Sequence, residues 1–308
     1  MSETGPAIAV RNVTKRYGNF TAVDNLTFDV QRGEIFAMLG PNGAGKTTML
    51  RMILDILVPD AGTIHVLGGP ITERTKDRIG YLPEERGLYR NVRVLEVLTY
   101  LGTLKGMKRS DAEKRALQML ERVGLEEHAK SKISELSKGM QQKVQIITTV
   151  LHRPDLVIID EPFSGLDPVN TQLVKDMLYE MNADGVTIIM STHQMHQVEE
   201  MAGRMLMISK GRRVLYGKVA EVRQEFAKNA VLVEGDGNWT ALPGVSSVDD
   251  VNGQVALLHL AEGVTPDDVM EAMAVGANYR VRRFELAVPS LNEIFIEVAG
   301  TNNGQNGG

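Results

Sequence analysis

The residues best equipped for chemistry lie at positions 40–48, which read Gly-Pro-Asn-Gly-Ala-Gly-Lys-Thr-Thr. The glycines and the Lys-Thr pair have the spacing of a phosphate-binding loop, in which backbone N–H groups point inward around an anion. The lysine can reach the terminal phosphates of a nucleotide, and the hydroxyl of Thr47 can ligate Mg²⁺. We therefore predict a nucleotide-binding loop made of Gly40, Pro41, Asn42, Gly43, Ala44, Gly45, Lys46, Thr47 and Thr48.

The flanking sequence supplies the elements that such a loop needs. Residues 35–39 are a short apolar run that predicts a buried strand, and residues 47–57 carry apolar side chains at helical spacing. The loop therefore joins a strand to the N-terminus of a helix, whose positive dipole end favours an anion.

Two carboxylates and a histidine follow other predicted strands. Asp160 and Glu161 end the apolar run 156–159, and His193 comes just after the apolar run 186–190. Since ligands bind at the carboxyl ends of parallel strands, we expect Asp160 to hold Mg²⁺ and Glu161 to act as the general base on water. We expect His193 to contact the γ-phosphate and hold that water in line. Taken singly, each residue also fits an ordinary strand end or polar loop.

Strands that alternate with helices predict an α/β core with parallel strands. Residues 92–151 are mostly helical in pattern, and the character of the sequence changes near residues 225–228. Short strand patterns and two helical stretches then predict a small α+β domain of about 75 residues. We expect an ATP-binding domain over 1–222 with a helical subdomain at about 87–151, an accessory domain over 229–300 and a disordered tail over 301–308.

Composition narrows the function classes. The chain has 308 residues, a net charge of -5 and no cysteine. The mild negative charge argues against a protein that coats nucleic acid, and the lack of cysteine excludes disulfides and thiolate metal sites. No stretch approaches the ~18 consecutive apolar residues of a membrane span, so we expect a soluble chain whose membrane role would come through a partner.

Further motifs carry a family resemblance. Residues 136–141 read Leu-Ser-Lys-Gly-Met-Gln and resemble the ABC signature, while residues 164–167 match the D-loop of the same family. Tyr17, in Lys-Arg-Tyr-Gly, matches the aromatic residue that stacks on adenine. Together with the phosphate loop and the two carboxylates, these motifs resemble the ATP-binding subunit of an ABC transporter over roughly residues 7 to 220.

The resemblance implies a P-loop NTPase fold of ABC type, with a mixed sheet and a helical subdomain, followed by the small α+β domain. It implies an ATPase that uses ATP and Mg²⁺, with Lys46, Glu161 and His193 as catalytic residues. In this family, Ser137 and Gly139 would contact ATP bound to the opposite subunit, so the chain is expected to form a homodimer or a heterodimer with another ATP-binding subunit.

The resemblance also implies a membrane partner and a location. The chain would power transport through a separate polytopic transmembrane subunit at the cytoplasmic face of the inner (plasma) membrane, with no nucleic acid as partner. Residues 83–89 and 289–295 resemble a bacterial subgroup of ABC-2-type exporter ATPases that includes sodium-efflux subunits.

Two departures from the family pattern concern the site. Lys138 and Met140 replace the usual glycine and glutamine of the signature, and Glu84 replaces a usual glutamine. Ser137 and Gly139 keep the expected chemistry, and Lys138 adds positive charge near an anion. A carboxylate can still ligate Mg²⁺, so we predict Glu84 as a third metal-site residue beside Thr47 and Asp160.

Four apolar residues after Glu84 are candidates for a groove that docks the membrane subunit. Their spacing fits the core of the helical subdomain equally well, so the sequence leaves the two interpretations open. They are Leu88, Tyr89, Val92 and Val94.

Two other functions compete with transport. Soluble ABC ATPases that act on nucleic acid or ribosomes usually have a long coiled coil, cysteine-rich zinc modules or two ATPase domains, whereas this chain has one phosphate loop and no cysteine. A regulatory subunit would bind ATP without cleaving it. The intact Lys46, Asp160 and Glu161 speak against that role, while Glu84 leaves it open.

Overall fold

The computed structural model describes residues 5–84, 87–227, 229–251, 254–276 and 278–304. The chain forms two compact units that divide between Val219 and Ala220. The exact domain limits set out above stay a prediction. No helix within the described ranges is both long and apolar enough to cross a membrane.

The described residues of the first unit form nine strands in two sheets. A six-stranded sheet has the order β5-β6-β7-β3-β8-β9 and is parallel except for the β8–β9 pair, and an antiparallel sheet has the order β2-β1-β4. The strands are β1 (Ile8–Tyr17), β2 (Phe20–Val30), β3 (Ile35–Leu39), β4 (Ala61–Val66), β5 (Ile79–Leu82), β6 (Leu156–Asp160), β7 (Thr187–Thr192), β8 (Arg204–Ser209) and β9 (Arg212–Lys218).

Within the same described residues, seven helices accompany these strands, and an eighth crosses the division between the units. They are α1 (Lys46–Ile53), α2 (Glu73–Lys76), α3 (Val94–Leu104), α4 (Arg109–Arg122), α5 (Lys138–Val150), α6 (Pro168–Ala183), α7 (Met195–Met201) and α8 (Val219–Glu225). Helices α3, α4 and α5 lie between β5 and β6 in the chain and pack on one another through buried residues such as Leu98, Ala116 and Ile147.

The central parallel strands position the site. Every residue of β3, β6 and β7 is buried, which is why β3 and β6 are apolar up to Asp160 and β7 has an apolar centre between Thr187 and Ser191. In register, Leu39 lies beside Thr192, and Asp160 lies beside Ser191. The carboxyl ends of three neighbouring strands therefore bring the phosphate loop, the two carboxylates and the histidine to one edge of the sheet.

The two sheets of the first unit share one core. Phe28 of β2 stacks on Phe36 of β3 with ring centroids 5.9 Å apart, and both rings are fully buried. Met49, Leu50 and Ile53 of α1 enter the same cluster. Burying a side chain of this size contributes about 1.5–3 kcal/mol, so this packing fixes α1, and with it the phosphate loop, against the sheet.

The second unit is a four-stranded antiparallel sheet with helices. Its strands have the order β11-β12-β10-β13, and Val269 and Met273 of α9 close the core on one face. A capping box at Thr265 and Asp268 starts α9. The elements are β10 (Ala230–Asp236), β11 (Val245–Asp250), β12 (Val255–Leu260), α9 (Pro266–Val275), β13 (Arg280–Leu286) and α10 (Leu291–Gly304).

Helix α10 reaches the start of the predicted tail. Ser290 and Glu293 make a reciprocal cap at its N-terminus, and the helix continues to Gly304. The disorder expected for the tail over 301–308 stays a prediction. Residues 305–308 of the predicted tail lie outside the described residues.

Candidate functional site

The phosphate loop turns tightly into α1, and glycine is required at this turn. Gly45 is the N-cap of α1 with φ 105°, a left-handed conformation that other residues adopt only with strain. A Cβ at Gly45 would lie 2.3 Å from the carbonyl oxygen of Ala22, and one at Gly40 would lie 2.2 Å from that of Ile208. The loop thus passes so close to neighbouring backbone that a side chain at either position would collide with it.

A cavity of about 340 Å³ opens in front of this loop. It gathers residues from the β1–β2 hairpin, the phosphate loop, the segment after β5 and the end of β6. Its lining residues are Tyr17, Phe20, Ala22, Asn42, Gly43, Ala44, Gly45, Lys46, Thr47, Thr48, Glu84, Asp160 and Glu161.

Lys46 is held inside the loop. Its Nζ donates hydrogen bonds to the carbonyl oxygens of Gly40 at 2.6 Å and Pro41 at 3.1 Å, and the residue is only 6% exposed. Burial lowers the pKa of Lys46, while Glu161, Asp160 and Glu84 act in the opposite direction. The amine is therefore a desolvated donor surrounded by carboxylates, and a phosphate would offer it the charged partner that the two carbonyls lack.

Asp160 has one oxygen satisfied and one left over. Ser191 donates a hydrogen bond to Oδ1, whereas Oδ2 is buried without a hydrogen-bond partner among the described residues. A buried carboxylate oxygen without a partner is costly, and a hard cation such as Mg²⁺ prefers oxygen ligands. Since the hydroxyl-bearing Thr47 lines the same cavity, the residues present fit a Mg²⁺ site.

Glu161 and His193 form a hydrogen-bonded pair. His193 Nδ1 lies 2.8 Å from Glu161 Oε1, and Thr192 Oγ1 lies 3.5 Å from Oε2. Glu161 takes φ 53°, and its N–H donates to the carbonyl oxygen of Ser191 at 3.1 Å. This rare backbone conformation turns the carboxylate back over β7, and strained residues of this kind cluster at functional sites. Oε2 is the less engaged oxygen of the pair.

Two aromatic rings flank the outer part of the cavity. Tyr17 is 48% exposed and Phe20 is 61% exposed, and the two residues are direct cross-strand partners at the end of the β1–β2 hairpin. Such partners project from the same face of a hairpin. Sequence reasoning found Tyr17 but missed Phe20, for which the only signal was a second aromatic residue close to the first.

The signature residues lie elsewhere on the chain. Ser137 caps α5 by accepting a hydrogen bond from the N–H of Met140 at 3.3 Å, and it is exposed, as is Lys138. Among the described residues that line the nucleotide cavity, neither Ser137 nor Gly139 occurs. Within one chain, the structure therefore does not bring the signature to the phosphate loop.

A buried side chain nevertheless ties the signature helix to the segment after Glu161. Gln142 of α5 is 6% exposed, and its Nε2 donates a hydrogen bond to the carbonyl oxygen of Pro162 at 3.0 Å. Pro162 leads into residues 164–167, where Asp167 caps α6 by accepting a hydrogen bond from the N–H of Asn170.

The four residues proposed for docking do not behave as one set. Val94 is buried in the helical core, and Leu88 and Val92 are half-buried. Tyr89 is 56% exposed and meets Tyr100 edge to face, with ring centroids 6.3 Å apart. A cavity of about 350 Å³ lies against Tyr100, with Arg93, Arg109 and Lys130 in its lining.

Comparison with known proteins gives consistent matches. The family model described as "ABC transporter" matches residues 23–164, and the one described as "ATP-binding protein DrrA1-3-like, C-terminal domain" matches residues 217–299. The chain is 40% identical over 300 residues to the uncharacterized ABC transporter ATP-binding protein YhaQ of Bacillus subtilis, covering 95% of this chain and 98% of that protein.

Relatives with more specific names are also similar. The linearmycin resistance ATP-binding protein LnrL of Bacillus subtilis is 31% identical over 305 residues, covering 95% of this chain and 98% of that protein. The Nod factor export ATP-binding protein I of Ralstonia nicotianae is 37% identical over 235 residues, covering 75% of this chain and 73% of that protein.

Solved structures share the fold of the first unit. An ATP-binding subunit of an ABC transporter superimposes with a TM-score of 0.67 at 31% identity, covering 71% of this chain and 93% of that one. The dimeric ATP-binding cassette MJ0796, bound to ADP and Pi after hydrolysis, gives 0.63 at 26% identity, covering 69% and 98%. These matches confirm the predicted ABC-type P-loop fold and nucleotide binding.

Proposed function

The chain belongs to the ATP-binding proteins of ABC transporters, which are ATPases, and from this premise we propose that it closes as a dimer around Mg²⁺-bound ATP to power export. One observation carries the proposal. The nucleotide cavity contains the phosphate loop and the carboxylates, whereas Ser137 and Gly139 are not among the described residues that line it. We infer that a second subunit supplies the signature.

The phosphate loop would bind and orient the triphosphate. Its backbone N–H groups and the N-terminus of α1 would surround the β- and γ-phosphates, and Lys46 would exchange its carbonyl partners for phosphate oxygens. Thr47 and Asp160 would hold Mg²⁺, with Glu84 beside them. When bound, the ion neutralises phosphate charge and polarises the bond that is cleaved.

Glu161 would act on the attacking water. Its Oε1 is engaged by His193, so Oε2 is the oxygen that would accept the proton of the water as the water attacks the γ-phosphate. His193 Nδ1 holds the carboxylate in position, and its exposed ring would reach toward the γ-phosphate. Tyr17 would stack on the adenine at the outer end of the cavity.

ATP would join the two subunits of the dimer. Lys46 and Thr47 of one subunit and Ser137 and Gly139 of the other would contact the same γ-phosphate, so hydrolysis removes the contact that keeps the dimer closed. Cassettes of this family dimerise and work with membrane subunits. That this chain follows them in its own assembly is supported by the exposed, solvent-facing cap at Ser137.

We propose a polytopic transmembrane subunit as the second partner, which would place the protein at the cytoplasmic face of the membrane. Tyr89, Tyr100 and Leu104 are each at least half exposed in and beside α3, next to the cavity lined by Arg93 and Arg109. Exposed aromatic and apolar side chains grouped with arginines are typical of a protein interface. The name of the Nod factor export relative supports export as the direction.

The experiment is to isolate the tagged protein from its native membranes and identify what accompanies it by mass spectrometry. We expect a polytopic membrane protein, which should be lost with Tyr89→Ala combined with Tyr100→Ala. The matched control is Met270→Ala, which truncates an exposed apolar side chain of the second unit. Ribosomal or DNA-associated partners without a membrane protein would contradict the proposal.

A further inference from the structure

The nucleotide cavity has an unusual balance of charge. Glu84, Asp160 and Glu161 all line it, and Lys46 is the one cation among the described residues of its lining. All three carboxylates are close enough to act on the amine of Lys46. A nucleoside triphosphate adds more negative charge than Lys46 and one Mg²⁺ ion neutralise, so the loaded cavity still has fewer positive charges than its carboxylates and phosphates require.

Glu84 adds to this imbalance. By the family resemblance described above it replaces a neutral glutamine, and its side chain is exposed in the single chain. Water screens an exposed carboxylate, so its charge costs little while the cavity is open. A partner that covers the cavity removes this screening and makes an uncompensated carboxylate expensive.

A matching positive charge occurs at the other half of the predicted interface. Lys138 is the first residue of α5, directly after Ser137, and it is exposed. It stands where the family usually has a neutral glycine. The helical part of the chain, residues 87–151, holds twelve Lys and Arg against seven Asp and Glu, a net charge of +5 in a chain whose total is -5.

We propose that the subunit across the nucleotide is a second copy of this chain, and that Lys138 of that copy balances Glu84. The inference rests on the proposed function, because Ser137 and Lys138 reach the cavity only in the proposed dimer. In a two-fold dimer every contact occurs twice, so both nucleotides gain the same compensation. A relative with glycine at the position of Lys138 would bring no further cation to the side of Glu84 that the partner covers, which favours self-association.

The test is a double-mutant cycle on ATP-dependent dimerisation. All proteins carry Glu161→Gln to trap ATP, and the dimerisation constant is measured by sedimentation velocity with ATP. We expect Lys138→Met to weaken dimerisation about tenfold, since close charge pairs at interfaces couple by more than about 1.4 kcal/mol. In a Glu84→Gln background, the same lysine substitution should change the constant less than about threefold.

The matched control is Lys114→Met, which removes an exposed lysine of α4 and should leave the constant unchanged. Equal effects of Lys138→Met in both backgrounds would overturn the pairing, even if the purified protein dimerises with ATP. Failure of the protein without the Lys138 and Glu84 changes to dimerise with ATP would overturn self-association. Failure to bind or cleave ATP, measured on the unaltered chain, would instead count against the proposed function.

Discussion

Glu161 shows how single residues are set for chemistry in this protein. Its left-handed φ of 53° and its hydrogen bond to Ser191 fix the backbone, and His193 fixes the side chain through Oε1. The carboxylate is 8% exposed at its side chain. A group held by backbone and side chain together loses little entropy on reaction, which suits a general base.

Replacing Glu161 by Gln should separate binding from hydrolysis. The amide keeps an oxygen acceptor for His193 but cannot accept a proton from water, so we expect ATP turnover to fall by at least about 100-fold while ATP still binds. Steady-state ATPase assays and a binding isotherm measure the two effects. Glu121→Gln on the exposed face of α4 is the control. Turnover near that of the unaltered chain would exclude Glu161 as the base.

The two aromatic residues of the β1–β2 hairpin, Tyr17 and Phe20, should both contribute to binding the adenine of ATP. We expect Tyr17→Ala and Phe20→Ala each to weaken ATP binding by about 1 kcal/mol through lost stacking, while Tyr17→Phe keeps most of the affinity. Calorimetric titration with ATP gives the dissociation constants. An unchanged affinity of Phe20→Ala for ATP would mean that the ring of Phe20 lines the cavity without touching the adenine.

Site residues that are neighbours in the sequence could be predicted, whereas those that meet only in the folded chain could not. The residues of the phosphate loop follow one another in the sequence, and so do Asp160 and Glu161. Each motif could therefore be recognised from its own spacing, and both line the cavity. Phe20 and Ser191 escaped notice because their roles depend on strand register: Phe20 faces Tyr17 across a hairpin, and Ser191 lies beside Asp160 across two parallel strands. Residue types in one sequence do not encode that register.

Among the elements, β5 is the one that leads to Glu84, and it is anchored from outside the sheet. Lys105 Nζ at the end of α3 donates to the carbonyl oxygens of Lys76 and Ile79, and His152 after α5 contacts the same Ile79 oxygen at 3.2 Å. The second ring nitrogen of His152 is buried and has no hydrogen-bond partner in the described part of the chain. Burial, with Lys105 and Arg115 nearby, lowers the pKa of His152 to about 4.

This histidine should make the fold sensitive to acid. Its pKa is below the unfolded value of 6.5, so between those values the unfolded chain binds a proton that the folded chain does not, and stability falls as pH falls. After allowance for partial solvent exposure, we expect a loss of about 1 kcal/mol at pH 5 relative to pH 7.

His152→Gln should remove that contribution. Urea unfolding at pH 7 and pH 5 measures it as the difference in pH dependence between the two proteins. His65→Gln, on the exposed part of β4, controls for loss of an imidazole. Identical pH dependence in His152→Gln and the unaltered chain would contradict the burial argument.

Secondary structure could be predicted from the sequence where every residue of a segment is buried. The apolar runs of β3, β6 and β7 predicted buried parallel strands because both faces of these strands are covered. The docking residues could not be sorted in this way. Val94 and Tyr89 are both candidates from the segment after Glu84, yet Val94 is buried in α3, which packs on α4 and α5, whereas Tyr89 precedes α3 and is exposed.

On the scale of the whole molecule, the hydrogen bond from Gln142 to Pro162 connects the two halves of the chemistry. In the proposed dimer, the helix that carries Gln142 presents Ser137 to one nucleotide, while the segment after Pro162 continues from the Glu161 that serves the other. We therefore expect Gln142→Leu, which keeps the volume but loses the donor, to reduce cooperativity between the two ATP sites.

The measurement is the Hill coefficient of ATP hydrolysis. The unaltered chain should give a value above one and Gln142→Leu a value close to one, with less than about a threefold change in the ATP concentration for half-maximal rate. Gln172→Leu, an exposed glutamine of α6, is the control. An unchanged Hill coefficient would show that this bond only stabilises the fold.

The same bond has a consequence for timing. If cleavage at one nucleotide shifts Pro162, the hydrogen bond passes the shift to α5 and to its N-cap Ser137 at the other nucleotide. This rearrangement would be local, so it would not need the dimer to separate. Hydrolysis at the second site would then follow hydrolysis at the first within the same closed dimer. The buried amide of Gln142 would then carry the effect of one hydrolysis event to the signature at the other nucleotide.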